Sequence, residues 1–344
     1  MNKLIKKKIT ILGKDKMGWS IDKDRQNITK VMNKIEGISI TKNPLGADIF
    51  FCVWYDYLAN PILFYPLLIL NKIKKIKIIS VVTNDIRNYP EKIKKLSKII
   101  DIWISPNLSI FKFLKEKGLE TVHIPFSINS NIFSKSDVRR DDICKKLGID
   151  FKKINRKYLI GSFQRDSLGT DLTKPKWQKN PDLLIKITDL LKSDDIILIL
   201  AGPRRHYIVE KCNELKIPYL FIGDESYIKN LKDDIYINNL DDEKISLLYK
   251  LIDAYIVTSK SEGGPKSILE SSISKTLVFS TRVGMAPDIL HEKCLFSEDN
   301  ITSLLDAIRS RDKFYDIINY NFANAMKALD EKSLIEKIKS ITLN

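Results

Sequence analysis

The sequence predicts an α/β protein with two doubly wound parallel sheets in succession and a helical C-terminus. Three observations lead there. Short β-branched runs alternate with amphipathic helical patterns almost from end to end. The strand candidates are apolar throughout, as strands buried on both faces are, rather than alternating apolar and polar. The alternation pauses once, over the polar and charged stretch Phe126 to Lys157.

In the first half the strands read KITIL, ISIT, ADIFFCVW, IKIISVVT, DIWIS and TVHI. Between them lie the helical patterns DRQNITKVMNKI, LLILNKIKK, PEKIKKLSKI and LSIFKFLKEKG, the last stopping at Gly118. After the pause the strands read YLIGSF, DIILILAG, YLFIG, DIYIN, DAYIVTS and TLVFST, and from Ile301 onward the pattern is helical. Domains are therefore expected at 1–150 and 151–325, with a C-terminal helix over 326–344 that packs back on the first domain. Ligand is expected at the carboxyl ends of the strands.

Composition narrows the class. Of 344 residues 44% are hydrophobic and 29% charged, which is globular rather than disordered. The net charge of +15 points to acidic partners, although lysine and isoleucine are common everywhere and much of the charge reads as solvated surface. Cys52, Cys144, Cys212 and Cys294 form no CxxC pair, as expected of reduced thiols in the cytoplasm, and His123, His206 and His291 fit no metal-ligand spacing. The apolar run after the first lysines is too short for a signal peptide. The long apolar stretch Phe50 to Leu70 is interrupted by Asp56, Asn60, Pro61 and Pro66, so it reads as strand, loop and helix rather than a membrane span.

The stretch SEGGPKSILE, Ser261 to Glu270, carries the chemistry. It follows a buried strand and opens a helix, with Pro265 suited to the first helical position. Gly263 and Gly264 allow a sharp turn and a close approach to ligand, and the amides of a helix start favour phosphate. Glu262 and Glu270 would accept hydrogen bonds from hydroxyls. A ligand rich in phosphates and hydroxyls, such as a nucleotide-sugar, meets that description.

EGGPKSILE resembles the E-G-x-P-x-x-x-L-E signature of the GT-B retaining glycosyltransferases of family 4. IGSFQRD with KNPDLLIKI is similar to that family's Arg…Lys phosphate-binding segment, and ISPNLSIFKFLKEKGLETVHIPFSINSNIF to the end of its first domain. The resemblance implies two Rossmann-like domains facing across a cleft. It also implies Glu270 on the ribose, Glu262 against the donor sugar, and Arg165 and Lys179 on the diphosphate. The backbone near Asn239 and Leu240 would form the base pocket. Thirteen residues separate Arg165 from Lys179, so Lys176 is an alternative phosphate ligand. Asn180 and Lys275 stand where the family usually has glycine. Where the family often carries a first-domain histidine, Asp85 is the nearest polar candidate, with helix capping as its competing role.

The first turn, GKDKMGWS, lacks G-x-G-x-x-G, against a dehydrogenase; its Gly18 and Trp19 are expected on the acceptor side. Asp22-Lys23-Asp24 reads as helix capping, so a metal-independent transferase is expected. The expected function is sugar transfer from a UDP- or GDP-linked donor to a glycan or lipid-linked acceptor, in surface polysaccharide or lipopolysaccharide assembly. No cofactor beyond the donor and no nucleic-acid partner is expected. The enzyme would work in the cytoplasm, peripheral on the anionic inner face of the membrane through PLLILNKIKK and PEKIKKLSKI. Two other readings compete: a basic nucleic-acid-binding protein, which explains the charge but not the glutamates, and a nucleotide-sugar epimerase on the same fold.

Overall fold

The computed structural model describes residues 6–15, 20–134, 138–311 and 314–343. By contact they group into two compact units. One is Met1–Ile128 with Glu262–Lys266 and Lys327–Asn344; the other is Asn129–Ser261 with Ser267–Met326.

The first unit holds strands β1 (Lys7–Leu12), β2 (Ile38–Ile40), β3 (Ile49–Cys52), β4 (Lys77–Val81), β5 (Ile102–Ser105) and β6 (Thr121–His123). They form one parallel sheet in the order β2-β1-β3-β4-β5-β6. All six predicted strands of this half are present. Successive side chains leave a strand on opposite faces, and here both faces are covered. Phe50, Cys52, Ile78 and Trp103 pack with Phe64 and Leu67 of the helix Pro61–Lys74 and Leu96 of the helix Pro90–Leu96. Ile49, Phe51, Ile79 and Ile104 pack instead with Met32 and with Ile338 and Ile341 of the final helix, Glu331–Leu343. That two-sided burial is why these strands read as unbroken apolar runs. Polar contacts seat the final helix too: Lys337 Nζ donates to His123 O at 3.1 Å, and Lys34 pairs with Glu331 at 2.5 Å.

Phe50–Leu70 becomes the end of β3, a short helix Tyr55–Leu58 and the start of the helix Pro61–Lys74, where Asn60 caps by accepting from Ile62 N at 3.0 Å. No helix among the described residues is long and apolar enough to cross a membrane.

The second unit holds β7 (Tyr158–Ser162), β8 (Ile196–Ala201), β9 (Tyr219–Ile222), β10 (Ala254–Val257), β11 (Leu277–Thr281) and β12 (Leu295–Phe296). The sheet is parallel, in the order β12-β11-β10-β7-β8-β9. One predicted strand is corrected: DIYIN, Asp234–Asn238, is a turn. Its Asp234 is buried and accepts from Arg204 N at 2.7 Å and Asn238 Nδ2 at 2.6 Å, while Tyr236 and Ile237 point to solvent. Side-chain bonds to these carbonyl-rich residues replace a sheet ladder. The sixth strand is the two-residue β12, too short to leave a periodic signal.

Chain order reverses between β7 and β10. From β7 the chain builds outward through β8 and β9, and from β10 outward the other way. The loops leaving the carboxyl ends of β7 and β10 start at this reversal, the place where open parallel sheets bind ligands. Those two loops carry Arg165 and the start of SEGGPKSILE.

Candidate functional site

Packing brings β7 and β10 close to the chain around them. Gly161 in β7 has no room for a side chain, since a Cβ there would lie 2.3 Å from Ile252 Cδ1. Beyond β7 a polar excursion carries Arg165, half-buried, and returns through a 3-10 turn, Trp177–Lys179, to the helix Pro181–Leu191. Asn180 joins turn to helix at φ 47°, ψ 57°. Asparagine enters this left-handed region more readily than other residues with side chains, so it can stand where glycine is usual.

The turn is tied to the tip of β10. Thr258 Oγ1 donates to Lys179 O at 3.1 Å, and Gln178 O accepts from Lys260 N at 2.8 Å and Ser261 N at 3.4 Å. Lys176 is held from the other side, its N donating to Asp166 O at 2.6 Å. The two lysines thus stand on one short turn, both half-buried, with Trp177 exposed between them.

The signature helix runs Lys266–Ile273, one residue after Pro265. Glu270 lies on it, half-buried, and its Oε2 accepts from Tyr249 Oη at 3.0 Å. Tyr249 sits among Phe133, Phe163 and Tyr255, with ring centroids 6.1, 5.2 and 5.1 Å away. Burial first, then Tyr255 and Glu270, hold its hydroxyl well above the usual tyrosine range. It therefore stays a donor at any working pH and orients the glutamate. The sequence carried a signal for this partner: a tyrosine on the apolar face of a helix, as in LLYKL, needs something for its hydroxyl once buried.

Asn239 is exposed and Leu240 half-buried. They follow the Asp234–Asn238 turn and precede the helix Asp242–Leu251, capped by Asp241, which accepts from Lys244 N at 2.8 Å.

Glu262–Lys266 groups with the first unit. A Cβ on Gly263 would lie 2.4 Å from Thr83 O and 2.8 Å from Asn84 N, and Asn107 Nδ2 donates to Gly263 O at 2.5 Å. Gly263 does not adopt a left-handed backbone. The chain bends at Gly263, as expected, and the missing side chain lets this backbone lie against that following β4. Glu262 and Gly264 are half-buried on either side. Lys266 pairs with Asp24 at 2.5 Å. Burial raises the Asp24 carboxyl, against the lowering pull of Lys266.

Asp85 accepts from Arg87 N at 3.2 Å, which caps the turn Ile86–Asn88, and from Arg87 Nε and Nη2 at 2.7 Å each. That bond and the charge of Asp85 raise the Arg87 guanidinium further. Gly18 and Trp19 lie outside the described residues. Among the described residues, no three or more His, Cys, Asp or Glu are grouped to hold a metal ion.

Residues 174–311 match the family model of the glycosyl transferases group 1, which spans Lys176, Lys179 and the whole signature and begins after Arg165. No curated protein sequence matches the chain. Among solved structures, it is similar to Anabaena Alr3699/HepE in complex with UDP and glucose, at 13% identity over 97% of this chain and 98% of that one, TM-score 0.71. Sucrose-phosphate synthase from Thermosynechococcus elongatus is similar at 10% identity over 98% of each chain, TM-score 0.70. A glycosyltransferase from Rickettsia africae is similar at 15% identity over 99% of each chain, TM-score 0.64. Two parallel sheets flanked by helices, a helical C-terminus and these likenesses give the chain the GT-B fold.

Proposed function

We propose that the protein is a retaining, metal-independent glycosyltransferase of the family 4 type, moving a sugar from a UDP- or GDP-linked donor to a glycan or lipid-linked acceptor. One observation carries the reading. At the switch point of the second sheet, the lysine turn Lys176–Lys179 is bonded directly to Thr258, Lys260 and Ser261, which lead into the two-glutamate signature. The glutamate pair thus follows a strand tip bonded to a cationic turn within a glycosyl transferases group 1 segment, more than a chance spacing would supply. The UDP complex of the similar Anabaena protein supports a uridine donor.

Each group then has a task. Glu270, oriented by Tyr249, accepts from the ribose hydroxyls. Arg165 and Lys179, with Lys176 as the alternative in the same turn, neutralise the diphosphate, whose charge grows as the glycosidic bond breaks. Backbone at Asn239 and Leu240 meets the base. Glu262, Gly263 and Gly264 serve the sugar, and Asp85 with its ion-paired Arg87 is the polar pair offered by the loop after β4. The acceptor hydroxyl attacks the anomeric carbon on the face the diphosphate leaves. Its proton passes to the departing phosphate oxygen, so retention needs no covalent enzyme intermediate.

A lipid-linked acceptor is supported by the helix Pro61–Lys74. It exposes Ile62 (80%), Tyr65 (60%), Ile69 (57%) and Ile73 (74%) at helical spacing, beside Lys72, Lys74 and Lys75. No acid occurs between Asp56 and Asp85. An apolar stripe edged by lysines suits an anionic membrane surface, here the inner face of the cytoplasmic membrane during surface polysaccharide assembly.

Thermal unfolding against a panel of nucleotide-sugars tests the reading, because a ligand at 100 times its dissociation constant stabilises by about 2.7 kcal/mol. Stabilisation by one donor is expected, with Arg165→Ala and Lys179→Ala weakening the diphosphate more than the nucleoside. Glu270→Ala should weaken both. No response to any UDP or GDP compound refutes the proposal.

A further inference from the structure

We infer that Asp166 and Arg205, an ion pair buried beneath the excursion after β7, are positioning residues for the donor diphosphate: they fix the chain on which Arg165 and Lys176 stand. The inference rests on the donor role proposed for those two cations.

The excursion is polar and has few apolar side chains to hold it, so its shape depends on polar anchors. Several of them converge on Asp166 and its neighbour Ser167. Asp166 N and Ser167 N both donate to Arg204 O, at 3.2 and 3.1 Å. Ser167 Oγ accepts from Tyr207 N at 2.9 Å. Asp166 Oδ1 accepts from Ser167 Oγ at 3.1 Å and Ile208 N at 3.3 Å, which places the carboxylate at the start of the helix His206–Leu215. Arg165 is the neighbouring residue, and Lys176 N bonds Asp166 O. The Asp166 backbone thus links the chain at both cations, and its buried side chain ties that backbone to the helix His206–Leu215 and to Arg205. Lys179 is anchored from the tip of β10 as well as through its N–H on Lys176 O at 2.8 Å.

The pair itself is unusual. Asp166 is 2% exposed and Arg205 0%. Arg205 Nε lies 2.9 Å from Asp166 Oδ2 without forming a directed hydrogen bond, and Nη2 donates to Ser162 Oγ at 3.1 Å at the end of β7. Arg205 Nη1 is buried with no hydrogen-bond partner among the described residues. Buried pairs seldom stabilise more than apolar residues of the same size would, whereas losing one partner is heavily penalised. Stability alone is thus a weak reason for this pair, and placing Arg165 and Lys176 is a better one. Burial pushes the Asp166 carboxyl up to about 6, against the lowering pull of Arg205. His206, Tyr207 and Cys212 are the other titratable groups facing it.

Calorimetry with UDP against uridine, and GDP against guanosine, tests the inference on the full chain between pH 5 and 8. Asp166→Asn keeps the side-chain shape and removes its charge. At pH 7.5 it should weaken the diphosphate about tenfold, the equivalent of one strong polar contact, and change the nucleoside less than twofold. Ser167→Ala, a milder loss at the same anchor, should weaken the diphosphate about threefold. Below about pH 6 the parent's preference for diphosphate over nucleoside should fall more steeply than that of Asp166→Asn, because only the parent loses the carboxylate as well as ligand charge. If Asp166→Asn does not fold, Ser167→Ala decides. Equal losses for diphosphate and nucleoside, or no loss in Ser167→Ala, overturn the positioning role while the parent still binds UDP or GDP. A parent that binds neither diphosphate refutes the donor reading and this role with it.

Discussion

Gly263→Ala pits two close contacts of similar geometry against each other. A Cβ at Gly263 meets Thr83 O at 2.4 Å, Thr83 C at 2.5 Å and Asn84 N at 2.8 Å, where ordinary contact lies at 3.4–4 Å. All three atoms are backbone. They follow β4, where Val82 N bonds Ile104 O at 2.9 Å and Asp85 caps the next turn, so the chain is tied on both sides of the clash. Relief requires moving one backbone by about 1 Å, and overpacking of this kind costs about 1–3 kcal/mol. At about 2–4 °C per kcal/mol for a unit of this size, the midpoint should fall by about 2–12 °C. Gly169 is the control. A Cβ there lies still closer to its neighbour, 2.2 Å from Arg204 Nη1, but that neighbour is the tip of a flexible side chain. Arg204 can swing aside at the expense of its two-pronged pair with the partly exposed Asp233, about 1 kcal/mol. Calorimetric unfolding of the two variants should therefore rank Gly263→Ala well below Gly169→Ala. An unchanged midpoint for Gly263→Ala, or an equal drop for Gly169→Ala, refutes the backbone-contact account.

Three further outcomes follow from other parts of the molecule. Tyr249→Phe removes the donor to Glu270 and should weaken UDP or GDP by about 0.5–1.5 kcal/mol while the protein stays folded; unchanged affinity measured by calorimetry would detach Tyr249 from the donor. Lys275 ends the signature helix region at φ 56°, a left-handed conformation, so Lys275→Gly should raise stability by about 0.5 kcal/mol, the relief of strain exceeding the greater freedom of the unfolded chain. A destabilised variant would instead show that Lys275 packing over Phe322, 5.2 Å from the ring, is worth more than the strain. Ile69→Asp with Ile73→Asp should abolish co-sedimentation with anionic vesicles at low salt and leave UDP affinity unchanged, whereas undiminished sedimentation would remove the helix Pro61–Lys74 from the membrane contact.

The sequence by itself determined what depends on near neighbours along the chain. Runs such as IFFC and ILILA need apolar cover on both faces wherever they fold, so parallel sheets under helices were legible, as was the strand–loop–helix order around SEGGPKSILE. DIYIN shows where such reading stops. Its alternation suits a strand, yet Asp234 is claimed by Arg204, thirty residues away, and Asn238 ties the same segment to Asp224. Tertiary structure alone decided the partners of the site. Gly263 meets Asn107 across 156 positions, Glu270 meets Tyr249 across 21, and Asp166 is enclosed by residues from the turn after β8. The sequence shows that a buried Tyr249 hydroxyl needs a partner but not which one, because each pair exists only once separate parts of the chain lie side by side. The strand order β10-β7-β8, formed by backbone pairing between distant segments, brings the loop of Arg165 and the loop of Ser261 side by side.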